Sequence, residues 1–125
     1  MLLIMLKKTL RLSRADLDAF FRKRSKFAAG KLVSARFAEN NLKYSRFAFV
    51  ASFEDKQKKK GRAVLRNLLR RRISEIIRIM SENVKAGLDI VFFIKLKNQK
   101  APAHEDLKED ILYVLSKSHL SRSIL

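Results

Sequence analysis

The feature that most constrains this chain is a segment, residues 62 to 83, that carries a dense cationic face beside an apolar one. At about 100° per residue, its apolar side chains share one arc wide enough to pack on a core, and its basic side chains share a neighbouring arc that must face solvent or a partner. The pattern therefore predicts one amphipathic helix. Its apolar arc holds Leu65, Leu69, Ile73, Ile76 and Met80, and its basic arc holds Arg66, Asn67, Arg70, Arg71, Ser74 and Arg78.

The charge of this helix is not balanced locally. A solvated helix face usually alternates charges of opposite sign four residues apart, but no acidic residue occurs between Lys56 and Arg72. The whole chain has 29 Lys plus Arg against 12 Asp plus Glu, a formal net charge of +17 in 125 residues. This excess favours nucleic acid as the partner over an ordinary solvated surface. It also favours nucleic acid over an anionic membrane, because the apolar side of the helix is needed for a core.

The sequence offers little for catalysis or metal binding. It contains no cysteine, which excludes disulfides and thiolate sites, and its histidines, His104 and His119, have no further ligand at metal-binding spacing. Neighbouring acids at Asp16 and Asp18, and at Glu105 and Asp106, fall at predicted helix N-termini, where acids are favoured by the helix dipole. We expect no catalytic residue, no metal ligand and no cofactor bound by this chain.

The remaining segments predict an α/β chain, in the form of an α+β sandwich with one sheet and helices packed on it. Ser13 with Asp16 three residues later predicts a helix start, and the helix is expected over residues 14 to 24. Residues 31 to 38 and 45 to 52 read as two strands of a hairpin. They are followed by a basic loop over residues 53 to 60, or by a third strand there.

The second half of the chain predicts a strand and a helix. The apolar run over residues 88 to 96 is typical of a central strand buried on both faces. A last amphipathic helix follows, with Leu107, Ile111, Val114 and Leu115 on one side. We expect a single RNA-binding domain over residues 1 to 125, with residues 1 to 9 as an N-terminal extension and residues 116 to 125 as a frayed tail. The short apolar run at residues 1 to 6 cannot span a bilayer, so a cytoplasmic protein is expected.

The aromatic residues divide into core and surface candidates. Phe37, Phe47, Phe49, Phe92 and Phe93 fall in strands and are expected in the core. Phe20 and Phe21 are adjacent on a helix and point about 100° apart, so one of them should reach the edge of the core. We expect Phe21, beside Arg22, Lys23 and Arg24, to be placed for stacking on unpaired bases.

These residues resemble a known family, the protein subunit of bacterial ribonuclease P, from about Leu10 to Leu115. The most specific part runs from Gly61 to Arg71, GRAVLRNLLRR, and is similar to the family pattern G-x-A-V-x-R-N-R-x-K-R. Weaker matches follow in the family's order. They are ADLDAFF in the first helix, YSRFAFVAS in a strand, DIVFFI in the apolar strand and AHEDL at the last helix.

The resemblance implies a fold, a function and roles for residues. The implied order is α-β-β-β-α-β-α with a left-handed crossover. The implied function is to assist removal of the 5′ leader of precursor tRNA by an endonuclease whose catalysis is performed by its RNA subunit and requires Mg²⁺. The protein would be monomeric when free. Contacts to the catalytic RNA are implied for Arg62, Arg66, Asn67, Arg70 and Arg71, and contacts to the leader for Leu17, Phe21, Arg46, Ser52, Lys59 and Lys60.

The chain departs from the family pattern at several positions. Leu68 replaces the second arginine of the Arg-Asn-Arg triplet, a loss that Arg72 could offset. Leu17 stands where the family often has phenylalanine, and Ala35 where an aromatic residue of the leader cleft can occur. An alternative of another class stays open, a generic RNA-binding module such as a ribosomal protein, because the same charge and fold would serve it.

Overall fold

The computed structural model describes residues 10–53, 61–80, 84–96 and 102–117, which form three helices and one four-stranded sheet. This confirms the predicted α+β class. In chain order the elements are α1 (Arg14–Arg22), β1 (Lys26–Ala29), β2 (Val33–Glu39), β3 (Arg46–Phe53), α2 (Arg62–Met80), β4 (Leu88–Leu96) and α3 (His104–Lys117).

The apolar strand β4 occupies the middle of the sheet, whose order is β1-β2-β4-β3. It pairs antiparallel with β2 and parallel with β3, which confirms the predicted central strand. The predicted hairpin between the two preceding strands is wrong, because β4 lies between them. A strand that is apolar on both faces is best buried with a neighbour on each side, and this outweighs the proximity of β2 and β3 along the chain.

The connection from β2 to β3 is shaped around the start of β4. The backbone N–H of Asn40 donates to the carbonyl of Gly87 at 2.9 Å. The backbone N–H of Leu88 donates to the Ser45 hydroxyl at 3.1 Å. These bonds hold the crossing segment over the start of β4.

A strand that the sequence reading did not identify, β1, lies at one edge of the sheet and pairs with β2. It is short and begins with Lys26, so it gives little periodic signal. The alternative of a third strand over residues 53 to 60 concerns residues outside the described ranges, except for Phe53, which ends β3. The basic loop falls on residues 54–60, which lie outside the described residues, as do residues 1–9 and 118–125.

Two cores form, one on each face of the sheet. The larger core holds the apolar sides of α2 and α3, including all four predicted residues of the last helix, against alternate residues of the strands. The smaller core centres on Leu12, Phe20 and Val91 under α1. Because α1 has only nine residues, ending at Arg22 rather than at residue 24, it covers only part of its face of the sheet.

Polar side chains fix the ends of these elements. Ser13 and Asp16 form the predicted capping box at α1, with the Asp16 N–H donating to Ser13 Oγ at 3.1 Å. The Asp110 carboxylate of α3 accepts the backbone N–H groups of Lys31, Leu32 and Val33 at 2.7 to 2.9 Å. Gly30 is required beside it, since a Cβ there would lie 2.5 Å from Asp110 Oδ1. Asp110 thereby ties the β1–β2 turn to the last helix.

The parallel strands β3 and β4 are joined through α2, so this connection is a crossover. Its left-handed sense stays a prediction of the family resemblance. Ser116 and Lys117, expected in a frayed tail, belong to the last turn of α3 in the described part of the chain.

Candidate nucleic-acid interface

The outer side of α2 forms a cationic surface, here called the α2 basic surface. Arg66, Asn67, Arg70 and Arg71 are exposed on it, and Arg62 is half-buried at its start. The predicted apolar arc lies on the other side of the helix, with Leu69, Ile73, Ile76 and Met80 buried and Leu65 partly buried. The structure thus brings together all five residues predicted to contact the catalytic RNA.

Two positions predicted in the basic arc behave differently. Ser74 is buried, with 8% of its surface exposed, because it faces the junction of α2 with α1 and the segment before α1. Arg78 is exposed, and its Nη2 lies 2.8 Å from Glu75 Oε1. That contact raises the pKa of Arg78 above its ordinary value. The unbalanced charge is therefore concentrated in the first half of α2.

Aromatic contact orients the first arginines of the surface. The guanidinium carbons of Arg62 and Arg66 lie 4.7 Å and 5.1 Å from the centre of the Phe53 ring. Such cation–π contacts restrain the two side chains without neutralising their charge. In the described part of the chain, Arg66, Arg70 and Arg71 form no ion pair, so their charge is available to a partner.

Leu68 is half-buried, and Arg72 does not stand in for the arginine absent there. Arg72 Nη1 donates to the carbonyl of Pro102, and the side chain is half-buried between α2 and the approach to α3. It therefore joins two elements instead of extending the α2 basic surface.

A second surface lies on the opposite face of the sheet, where α1 leaves the strands uncovered. Phe21 is 46% exposed, whereas Phe20 beside it is 1% exposed, which confirms that only one of the pair lies in the core. The Phe21 ring centre lies 6.2 Å from that of Phe93, and the Arg36 guanidinium lies 5.9 Å from the Phe93 ring centre. Phe27, 63% exposed, pairs directly with Arg36 on the neighbouring strand. We call Phe21, Phe27, Arg36 and Phe93 the aromatic platform.

The predicted leader residues fall at different places around this platform. Leu17 is half-buried and packs against the smaller core under α1. Ser52 is exposed near the end of β3, where it pairs with Lys95 of β4. It lies on the same face of the sheet as Phe93, because Val50, two residues before Ser52, pairs with Phe93. Lys59 and Lys60 lie outside the described residues. The structure therefore brings Phe21 and Ser52 to one face of the sheet and places Leu17 at its covered side.

Arg46 is engaged by two carboxylates at the base of α1. Its Nε and Nη2 each lie 2.9 Å from an oxygen of the buried Asp89, and its Nη1 lies 3.1 Å from Asp16 Oδ2. The hydrogen bonds to Asp89 raise the pKa of Arg46. The hydrogen bonds from Ser13, with a smaller contribution from Arg46, lower the pKa of Asp16 below its ordinary value. Arg46 therefore fastens α1 to the sheet and positions the helix that carries Phe21.

Sequence reasoning missed three residues of the platform. Phe93, expected in the core, is partly buried: it packs against the smaller core and its ring also contacts the exposed Phe21. Phe27 and Arg36 are not singled out by the sequence. Ala35, expected at the cleft, is fully buried in the larger core. The alternation of side chains along β2 is the signal that identifies Arg36 as a platform residue. Because Val33, Ala35 and Phe37 are buried on one face of the sheet, Arg36 lies on the other.

The described residues hold no group of three or more His, Cys, Asp or Glu side chains placed to bind a metal ion. None of the helices in the described ranges is both long enough and apolar enough to cross a membrane.

The chain is similar to known proteins in sequence and in fold. The profile of the Ribonuclease P family matches residues 6–119. The ribonuclease P protein component of Alkaliphilus oremlandii is 32% identical over 101 residues, covering 81% of this chain and 83% of the relative. That of Clostridioides difficile is 32% identical over 108 residues, covering 83% and 90%. The solved ribonuclease P protein from Thermotoga maritima superposes with a TM-score of 0.66 at 26% identity, covering 86% of this chain and 96% of that one.

Proposed function

The chain belongs to the ribonuclease P protein family, and from this premise we propose which surface binds which RNA. As the protein component of an endoribonuclease, it is the partner of the ribonuclease P RNA. The α2 basic surface binds that RNA. The aromatic platform binds the single-stranded 5′ leader of precursor tRNA.

Charge and rigidity support the first assignment. Arg66, Arg70 and Arg71 are exposed on a helix that is anchored by its buried side, and Phe53 restrains the helix start. Guanidinium groups bind phosphates in a bidentate manner, and phosphate contacts of this kind supply affinity without reading sequence. A folded RNA that presents closely spaced phosphates fits such a surface.

The chemistry of the platform supports the second assignment. Exposed aromatic rings beside cations are suited to unpaired bases, which stack on the rings while the cations contact the backbone. Phe21 and Phe27 are the exposed rings, and Arg36 and Lys95 are cations on the same face of the sheet. A double helix would bury its bases and gain little from these rings.

The hydrolysis itself is assigned to the RNA subunit with Mg²⁺. The protein contributes by neutralising phosphate repulsion and by holding the leader, and Leu17, Ser52, Lys59 and Lys60 are assigned to that leader site. Arg46 contributes by positioning α1. We further propose that the protein is monomeric when free and acts in the cytoplasm.

The observation that carries the proposal is the placement of two unlike surfaces on opposite faces of one sheet. One is cationic and carries no aromatic ring among its residues, and the other is aromatic with cations around it. One protein can therefore contact an RNA subunit and a single strand at the same time. A generic RNA-binding module would need only the first surface.

Reconstitution tests this proposal. The full chain is mixed with a bacterial ribonuclease P RNA at a Mg²⁺ concentration too low for the RNA alone to cleave precursor tRNA. We expect cleavage at the leader junction to appear when the protein is added. A protein that binds the RNA but leaves cleavage unchanged at low Mg²⁺ would favour the generic RNA-binding alternative.

A further inference from the structure

A cavity of about 220 Å³ opens at the β3 edge of the sheet, where α1 and α2 approach each other from opposite faces. Its walls are mostly apolar and include Leu12, Phe47 and Ile77, and Leu17, which is assigned to the leader site, forms the side of the cavity nearest α1. For comparison, an apolar cavity of ~150 Å³ accepts benzene. The space is therefore large enough for one planar ring system, and we call it the edge cavity.

One wall of the edge cavity carries a polar group with no assigned use. Ser74 is 8% exposed and lines the cavity. Within the ranges that the structure describes, its hydroxyl has no hydrogen-bond partner, although a serine in a helix can bond to the carbonyl four residues earlier. The Ser74 hydroxyl is accessible from the cavity, so a ligand with a donor or an acceptor at its edge could form a hydrogen bond with it.

Cations flank the entrance. Arg11 and Arg70 line the cavity and are exposed. Neither forms an ion pair with any residue in the described part of the chain. The backbone around Arg11 is held in place, because Arg11 and Phe47 form an isolated parallel β-bridge. In addition, the backbone N–H of Leu12 donates to the Phe47 carbonyl at 2.8 Å. The edge cavity thus combines an apolar slot, one hydroxyl and a positive charge at each side.

We propose that the edge cavity binds one unstacked nucleobase of the ribonuclease P RNA. The base would enter the slot and bond to the Ser74 hydroxyl, and its flanking phosphates would lie against Arg11 and Arg70. The RNA subunit is the source because Arg70 and Ser74 lie on α2, the helix whose basic surface is assigned to that RNA. The inference rests on the proposed function in this respect.

Filling the slot tests the inference. Ser74→Leu places a larger side chain in the cavity without removing a cation. Losing a stacked base typically weakens binding, so the affinity for the RNA subunit should fall by roughly ten- to a hundredfold. The dependence of affinity on salt should stay the same, because no phosphate contact is lost. Arg11→Ala should instead make the salt dependence shallower by about one unit of slope. Ser116→Leu, at the exposed end of α3, is the matched control.

A thiol probe tests occupancy even if Ser74→Leu disturbs folding. The chain has no cysteine, so Ser74→Cys introduces a unique and nearly isosteric thiol. We expect iodoacetamide to alkylate it in the free protein and the RNA subunit to protect it, while the thiol of Ser116→Cys stays reactive in both states. Chemical probing of the RNA should then show one base protected by the wild-type protein and exposed again with Ser74→Leu.

Several results would overturn the inference. They are unchanged RNA affinity for a folded Ser74→Leu variant, a thiol at position 74 that the RNA leaves fully reactive, or no base protection that depends on Ser74. The inference would also be overturned if residues 2–9 of the chain itself occupied the edge cavity. In that case Ser74→Leu would lower the melting temperature of the full chain but not of a chain lacking those residues. If the wild-type protein does not bind the RNA at all, the proposed function fails as well, which separates the two outcomes.

Discussion

Replacing Phe21 with alanine should separate leader binding from folding. Phe21 is 46% exposed and contacts Phe20 and Phe93, with ring centres 5.5 Å and 6.2 Å away. A fully buried Phe→Ala change costs ~3 to 5 kcal/mol of stability, and about half of this side chain is buried. Alanine is also the better helix former. We therefore expect Phe21→Ala to cost about 1 to 2 kcal/mol, which leaves a folded protein.

The effect on binding should be selective for the leader. A stacked base contributes ~1 to 3 kcal/mol, or roughly five- to 150-fold in affinity. The affinity of the reconstituted enzyme for precursor tRNA should fall by that factor, while its affinity for mature tRNA, which has no leader, should stay unchanged. The assay is a pair of equilibrium titrations with the two tRNA forms, at one fixed salt and Mg²⁺ concentration.

Two variants make the comparison sharp. Tyr113→Ala removes an aromatic ring of similar exposure, 54%, from α3, which belongs to neither surface, and should change neither affinity. Phe20→Ala removes the neighbouring ring, 1% exposed, and should cost ~3 to 5 kcal/mol of stability. If Phe21→Ala unfolds as readily as Phe20→Ala and weakens both tRNA forms equally, Phe21 is a core residue and the leader assignment is wrong.

Three further predictions follow from the charges and buried groups. The logarithm of RNA affinity should fall with the logarithm of salt concentration with a slope near −4 to −7. The double variant Arg66→Ala, Arg70→Ala should make this slope shallower by about 1.5 to 2, whereas the control Lys108→Ala, Lys117→Ala should leave it unchanged. A wild-type slope shallower than about −2 would contradict phosphate binding. Asp110→Ala leaves three backbone N–H groups without their acceptor and should cost about 3 to 5 kcal/mol in a denaturant titration, whereas the exposed Asp106→Ala should cost little. The folded-state pKa of Asp16 lies below its ordinary value of 3.8, so its stabilising contribution is present above that pH and is lost as pH falls through the folded-state pKa. Melting curves of wild type and Asp16→Asn should therefore converge at acidic pH, and a constant gap would refute the role of the ionised carboxylate.

Much of the architecture could be predicted from the sequence, because it depends on neighbours along the chain. The capping box at Ser13, the two sides of α2 and the apolar side of α3 follow from residues three or four apart on a helix. The central position of β4 follows from its continuous apolar run. The charge of α2 likewise indicates the class of partner, because charge depends on composition alone.

Tertiary structure decided what depends on contacts between distant segments. No local pattern shows that β4 separates β2 from β3, that Ser74 turns inward at the edge cavity, or that Arg46 is taken up by Asp16 and Asp89. The platform is the clearest case. Phe93 is as apolar as its neighbours in β4 but is only partly buried, because α1 is too short to cover it. Periodicity records which side of an element is apolar, but exposure depends on how far the packed element extends, and that is set by the fold as a whole.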